Sequence, residues 1–168
     1  GNGCPQSIQR HANPIFAQAG EDRLAASFIA DGVHLPAEVL RSLWRAKGPG
    51  RGVLVTDAMA AASAPPGRYS IGEIEVQVGE DRVVRQPGTK NLAGSALTME
   101  DAVAGLVRMA GVSLPEAWNA ASVRPWDLLR QAGAVKKRPE SAIVARWSGG
   151  KLEVVATFRG TRVLWAKE

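Results

Sequence analysis

The run Gly52-Val53-Leu54-Val55-Thr56-Asp57-Ala58 decides the fold. Its apolar residues do not alternate with polar ones, which is the pattern of a strand buried on both faces, as in a parallel sheet flanked by helices. It then breaks off in a carboxylate. In parallel α/β folds the carboxyl ends of the strands are where loops hold ligands and reacting groups over the rim of the sheet. Taken by itself, an Asp closing a strand is more often a turn former, bonding backbone two residues on.

Upstream stands a second short apolar run, Leu24 to Ala30, which also ends in an acid: Ser27-Phe28-Ile29-Ala30-Asp31-Gly32-Val33-His34. Between the two runs, Pro36 suits the first turn of a helix. That helix carries Val39, Leu40, Leu43 and Trp44 at three-and-four spacing, and Gly48-Pro49-Gly50 stops it. Strand, helix, strand makes a βαβ unit with parallel strands, so that Asp31, His34 and Asp57 share one rim. A shared rim favours a site over three independent turns.

Further along, Ile74, Val76 and Val78 alternate with charged and polar residues and lead through Gly79-Glu80-Asp81 to Val83-Val84, a hairpin at about 68–86. Pro87 to Ser95 is a loop. Thr98 with Asp101, and Ser113 with Glu116, are helix-opening pairs, and a further helical turn lies around Trp126 to Arg130. Before the first strand, Asn13-Pro14 opens a short helical piece over Ile15 to Ala19. After Lys136-Lys137-Arg138-Pro139 the pattern changes to three short strands, Ile143 to Trp147, Leu152 to Phe158 and Val163 to Trp165, joined by Ser-Gly-Gly and Arg-Gly-Thr turns.

The composition narrows the function. The 168 residues are 45% hydrophobic and 22% charged, as in an ordinary globular domain. No stretch has the roughly 18 consecutive apolar residues of a membrane helix, so no membrane partner is expected and the cytoplasm is the default compartment. The single Cys4 rules out an internal disulfide framework. The net charge of +5 raises the question of nucleic acid, but Lys47, Arg51, Arg68, Arg108, Arg130 and Arg162 are scattered and the one cluster, at 136–138, is short. Nucleic acid is therefore not an expected partner. A metal site made of Cys4, His11, His34 and Asp57 has no recognisable ligand spacing. Taken singly, His34 reads as a solvated or capping histidine, Arg10 as a surface residue, and the five Trp as packing residues.

Three stretches in this order, Ile29-Ala30-Asp31-Gly32-Val33-His34, Leu54-Val55-Thr56-Asp57-Ala58-Met59 and Leu92-Ala93-Gly94-Ser95-Ala96-Leu97-Thr98-Met99, resemble the carboxyl half of the N-acetylglucosamine-6-phosphate deacetylase family, within the amidohydrolase superfamily. The likeness is colinear from Gly1 to about Leu129. It implies an α/β fold: residues 1–135 as the last strands and helices of a (β/α)8 TIM-type barrel, and 136–168 as strands of a small β-sandwich.

The resemblance also implies roles. Asp57 would end the eighth barrel strand as the general acid/base, taking a proton from a metal-bound water and handing it to the departing amine. Asp31, Gly32, Val33 and His34 would end the seventh, with His34 touching the substrate. Asn2 and Gly3 would line the sugar site through their backbone, and Leu92, Ala93 and Gly94 would close over it. Arg10 would meet the phosphate, across a homodimer interface, a pairing that suits guanidinium chemistry. The divalent metal, of zinc or iron type, is held in the family by a glutamate and two histidines that precede the position matching Gly1. The chain therefore reads as a fragment without metal ligands, expected to be inactive and to fold poorly alone. Ala60-Ala61-Ala62-Ser63 departs from the family's Pro-Gly continuation. Alternatives within the same reading are a non-catalytic phosphosugar-binding module and an amidohydrolase for another small amide.

Overall fold

A computed structural model of the chain describes residues 7–137 and 140–167. Helix α1 (Pro14–Gly20) opens at Asn13, whose side-chain oxygen accepts the amides of Ile15 and Phe16. Strand β1 (Ala26–Phe28) then leads through a turn into helix α2 (Ala37–Lys47), and strand β2 (Gly52–Leu54) follows. The strands β1 and β2 are parallel, Ala26 facing Gly52 and Phe28 facing Leu54. The βαβ unit expected from the two apolar runs is thus present. Its strands are shorter than the runs, because ladder pairing ends at Phe28 and Leu54 and leaves Asp31 and Asp57 each three residues beyond a paired position.

Pro36 stands one place earlier than expected, as the N-cap of α2, where its missing N–H costs nothing. Gly48 ends that helix with a positive φ of 73°, a conformation glycine adopts without strain. Leu40 and Trp44 are buried as the helical period requires, whereas Val39 is 40% exposed.

The segment after β2 forms an antiparallel three-stranded sheet of β3 (Gly67–Ile71), β4 (Ile74–Val78) and β5 (Val84–Arg85), in the order β3-β4-β5. The expected hairpin is β4 with β5. Strand β3 was not expected, since Gly67-Arg68-Tyr69-Ser70-Ile71 has little apolar alternation and owes its conformation to pairing with β4. Val76, Val78 and Val84 face a small core with Ala61, Ala62 and Ala96, while Ile74 is 63% exposed near the turn.

Helix α3 (Met99–Ala110) is capped by Thr98, whose Oγ1 accepts the Asp101 amide, and α4 (Leu114–Ala121) by Ser113, whose Oγ accepts the Glu116 amide. Both capping pairs were legible in the sequence. Helix α5 (Val123–Gln131) begins earlier than the turn expected around Trp126. The main core gathers Phe28, Ala30, Leu54, Leu40, Trp44, Val103, Leu106, Met109 and Ala117 between the β1–β2 pair and helices α2, α3 and α4. Burying apolar surface of this kind is the chief stabilising contribution.

Strands β6 (Ser141–Ser148), β7 (Lys151–Arg159) and β8 (Arg162–Ala166) make the antiparallel carboxyl-terminal sheet. Leu152 packs against the main core, and the Val154 amide donates to Glu100 Oε1 at 2.7 Å, which ties β7 to the first turn of α3. Among the described residues, no helix is long and apolar enough to cross a membrane.

Candidate functional site

The Asp31 side chain is engaged on three sides. Oδ1 accepts the backbone amides of Val33 and His34, each at 2.9 Å, and Oδ2 lies 2.6 Å from His34 Nδ1. Asp31 thus closes the turn and also engages the imidazole. A carboxylate that already accepts two N–H groups leaves Nδ1 to carry the proton, so the neutral ring would offer Nε2 as an acceptor. Both side chains are well shielded, His34 at 6% exposure and Asp31 at 12%. Gly32 lets the chain reverse between them with φ 76°.

Asp57 lies at the matching place after β2 and is exposed. Its φ of 50° is left-handed. The local turn is bonded by Thr56, whose Oγ1 accepts the Ala58 amide at 3.4 Å. The 92–95 loop is fastened to this segment: the Ser95 amide donates to the Asp57 carbonyl at 3.2 Å, and the Met59 amide to the Ser95 carbonyl at 3.0 Å. A Cβ on Gly94 would stand 3.2 Å from Met59 Cβ, so the loop lies close over the residues after Asp57. Ser95 itself is 2% exposed, and its Oγ accepts the Leu97 amide at 2.9 Å.

A cavity of about 440 Å³ opens beside the Asp31–His34 pair. Asp31, Val33, His34 and Gly94 line it, together with Arg108 of α3 and Lys151 at the start of β7. Asp57, Arg10, Leu92 and Ala93 are not among its lining residues. Leu92 bridges to Arg85, and the Ala93 amide donates to the Val84 carbonyl at 3.0 Å, so those two hold the loop to the hairpin sheet. Arg10 and His11 are exposed. Asn2, Gly3 and Cys4 lie outside the described residues.

On the cavity wall, Asp81 is held below the ordinary carboxylate range, first by the Arg85 guanidinium and then by the Val83 amide. Arg82 donates to the carbonyls of Ala62 and Ala64, tying the hairpin to the chain after Asp57. Among the described residues, no three His, Cys, Asp or Glu side chains come together as a metal site.

Sequence reasoning missed Ser95, Arg108 and Lys151. Ser95 had a signal, since it directly follows Leu92-Ala93-Gly94. Arg108 and Lys151 had none, because only tertiary packing brings α3 and the β6–β7 turn to the same cavity.

No protein-family model matches the chain. Among known proteins, an Escherichia coli protein provisionally named N-acetylgalactosamine-6-phosphate deacetylase is 38% identical over 145 residues, covering 83% of this chain and 84% of that protein. The N-acetylglucosamine-6-phosphate deacetylase of Bos taurus is 32% identical, covering 94% of this chain and 40% of its own length. Among solved structures, a variant N-acetyl-D-glucosamine-6-phosphate deacetylase from Mycobacterium smegmatis, in complex with N-acetyl-D-glucosamine 6-phosphate, superposes with a TM-score of 0.77 at 30% identity over 94% of this chain. The Thermotoga maritima enzyme superposes with a TM-score of 0.73 at 25% identity. The chain covers 42% and 41% of those two structures. With sequence and backbone in agreement over most of its length, the chain belongs to the family of N-acetylglucosamine-6-phosphate and N-acetylgalactosamine-6-phosphate deacetylases.

Proposed function

We propose that this chain supplies the carboxyl-terminal part of a (β/α)8 barrel and strands of its accompanying β-sandwich, and that the protein hydrolyses the acetamide of N-acetylglucosamine 6-phosphate to glucosamine 6-phosphate and acetate. The observation that carries the reading is the equivalence of two acids. Asp31 and Asp57 each stand three residues beyond a paired position on adjacent parallel strands, in a chain of this family.

Asp57 is the proton carrier. Exposed at the strand end, its carboxylate takes a proton from the water that attacks the acetyl carbonyl and returns it to the nitrogen as the C–N bond breaks. His34, oriented by Asp31, contacts the sugar, and the 92–94 loop lies over it. Arg10 meets the phosphate from the exposed surface, where a second copy in a homodimer would enclose it. Asn2 and Gly3 contribute backbone groups.

The resemblance implies a divalent metal of zinc or iron type. The described residues do not fit one, since no three suitable donors converge, and the part played by Asp57 is stated without it.

A second substrate has a specific observation behind it. The Escherichia coli relatives named for the galactosamine epimer share 38% identity over 145 residues, and the Danio rerio enzyme named for the glucosamine epimer shares the same 38% over 101. Acetate release from both 6-phosphates by the native protein, compared with its Asp57→Asn form, tests the proposal. Release from either epimer that disappears in Asp57→Asn supports deacetylation and selects the substrate. No release, with saturable thermal stabilisation by glucosamine 6-phosphate, would leave a phosphosugar-binding module instead.

A further inference from the structure

Helix α3 has a glycine in its interior, Gly105, although glycine weakens a helix there. The reason is a close approach. A Cβ at Gly105 would stand 2.1 Å from the Ala30 carbonyl oxygen and 3.3 Å from its carbon, and both atoms are backbone, so no side chain can rotate away. Ala30 is buried and immediately precedes Asp31.

One helical turn later, α3 makes a second contact with the same loop. A Cβ on Gly32 would meet Met109 Sδ at 3.4 Å, so the methionine lies beneath the reversal between Asp31 and His34. The Met109 carbonyl accepts Arg41 Nε and Nη2 at 3.1 and 2.8 Å, which links the end of α3 to the helix that follows the loop. The Asp31–His34 turn is therefore supported at Ala30, at Gly32 and through α2.

We propose that Gly105 is a positioning residue. By admitting the Ala30 carbonyl to the surface of α3, it sets the Asp31 carboxylate to hold His34 Nδ1, and so leaves Nε2 as the atom offered to the cavity. A neutral ring held this way accepts a hydrogen bond from a ligand hydroxyl, the class of group a sugar presents. That last step rests on the deacetylase reading. The support of the turn by α3 does not.

The test is NMR of the full chain. In the unsubstituted protein His34 should show a slowly exchanging, downfield Nδ1–H, and Gly105→Ala should lose it while Asn119→Gly, a helix-weakening substitution at an exposed position of α4, keeps it. A Gly105→Ala protein that retains the resonance overturns the proposal. Hydrogen exchange on the unsubstituted chain covers the case in which Gly105→Ala does not fold. The Val33 and His34 amides should be protected as strongly as those of Ala102 and Leu106 in α3, and protection lower by roughly a hundredfold, showing that the turn opens independently of the helix, likewise overturns it. Titrating glucosamine 6-phosphate into the unsubstituted chain separates the two claims. If His34 Nε2 does not respond while the Nδ1–H and the protection are as expected, the sugar reading fails and the positioning role stands.

Discussion

The Lys47 ammonium, 1% exposed, donates to the Gln18 carbonyl at 2.8 Å and to the Glu21 carbonyl at 2.6 Å, joining the last turn of α2 to the end of α1. A helix ends with carbonyls that lack partners within it and with a negative partial charge, and a cation is well suited to both. Replacing Lys47 by Met keeps most of the stem but removes both charge-assisted bonds, leaving the Gln18 and Glu21 carbonyls with only the Glu21 and Leu24 amides. The expected loss is about 1–3 kcal/mol, measured as a lower denaturant midpoint with faster hydrogen exchange in α1.

A second expectation concerns Gly52, the first residue of β2. A Cβ there would stand 2.5 Å from the Trp44 ring, which itself contacts Phe28 at a centroid distance of 5.3 Å. Gly52→Ala should therefore push Trp44 out of its packing and destabilise by about 1–3 kcal/mol. A shifted Trp44 emission together with a lower melting temperature would show it, and unchanged emission would contradict it.

The Glu21 carboxylate is held down to about 2 from 4.5, first by the Arg23 guanidinium, then by the Arg23 amide, with the Lys47 charge a smaller contribution. A carboxylate depressed in the folded state adds stability above its unfolded value and loses it as the pH falls through the folded one. The window is thus from about 4.5 down to about 2. The pair is exposed, so the effect is small. Denaturation midpoints of the unsubstituted chain and Glu21→Gln should differ near neutral pH and converge at about pH 2.

For the chemistry, Asp57→Asn should lower the rate of acetate release by about 10²–10⁴-fold, the usual contribution of a positioned acid/base. Equal rates for the two forms would remove Asp57 from the reaction.

The features legible in the sequence were those set by local patterns. The apolar runs fixed β1 and β2, Thr98 and Ser113 marked their helices, and the glycine turns marked β6 to β8. What stayed hidden depends on partners distant along the chain. Gly67–Ile71 is a strand because β4 lies beside it, and Gly105 is glycine because Ala30 does. Lys47, one of several scattered basic residues in the sequence, is buried against the end of α1. At the site, Asp31 and Asp57 read alike in sequence as acids closing apolar runs. Only the geometry separates the one partly shielded in a turn from the one exposed beside the 92–95 loop.

The left-handed backbone at Asp57 limits how that residue can be interrogated. Asp, Asn and Gly occupy this region readily, whereas most other side chains are strained there. An alanine scan at position 57 would mix a conformational penalty with the loss of a carboxylate and report them as one number. Asparagine is the clean probe, since it keeps the backbone and discards only the charge. Of the three residues that the main chain favours here, aspartate alone carries the acid that the proposed proton transfer requires.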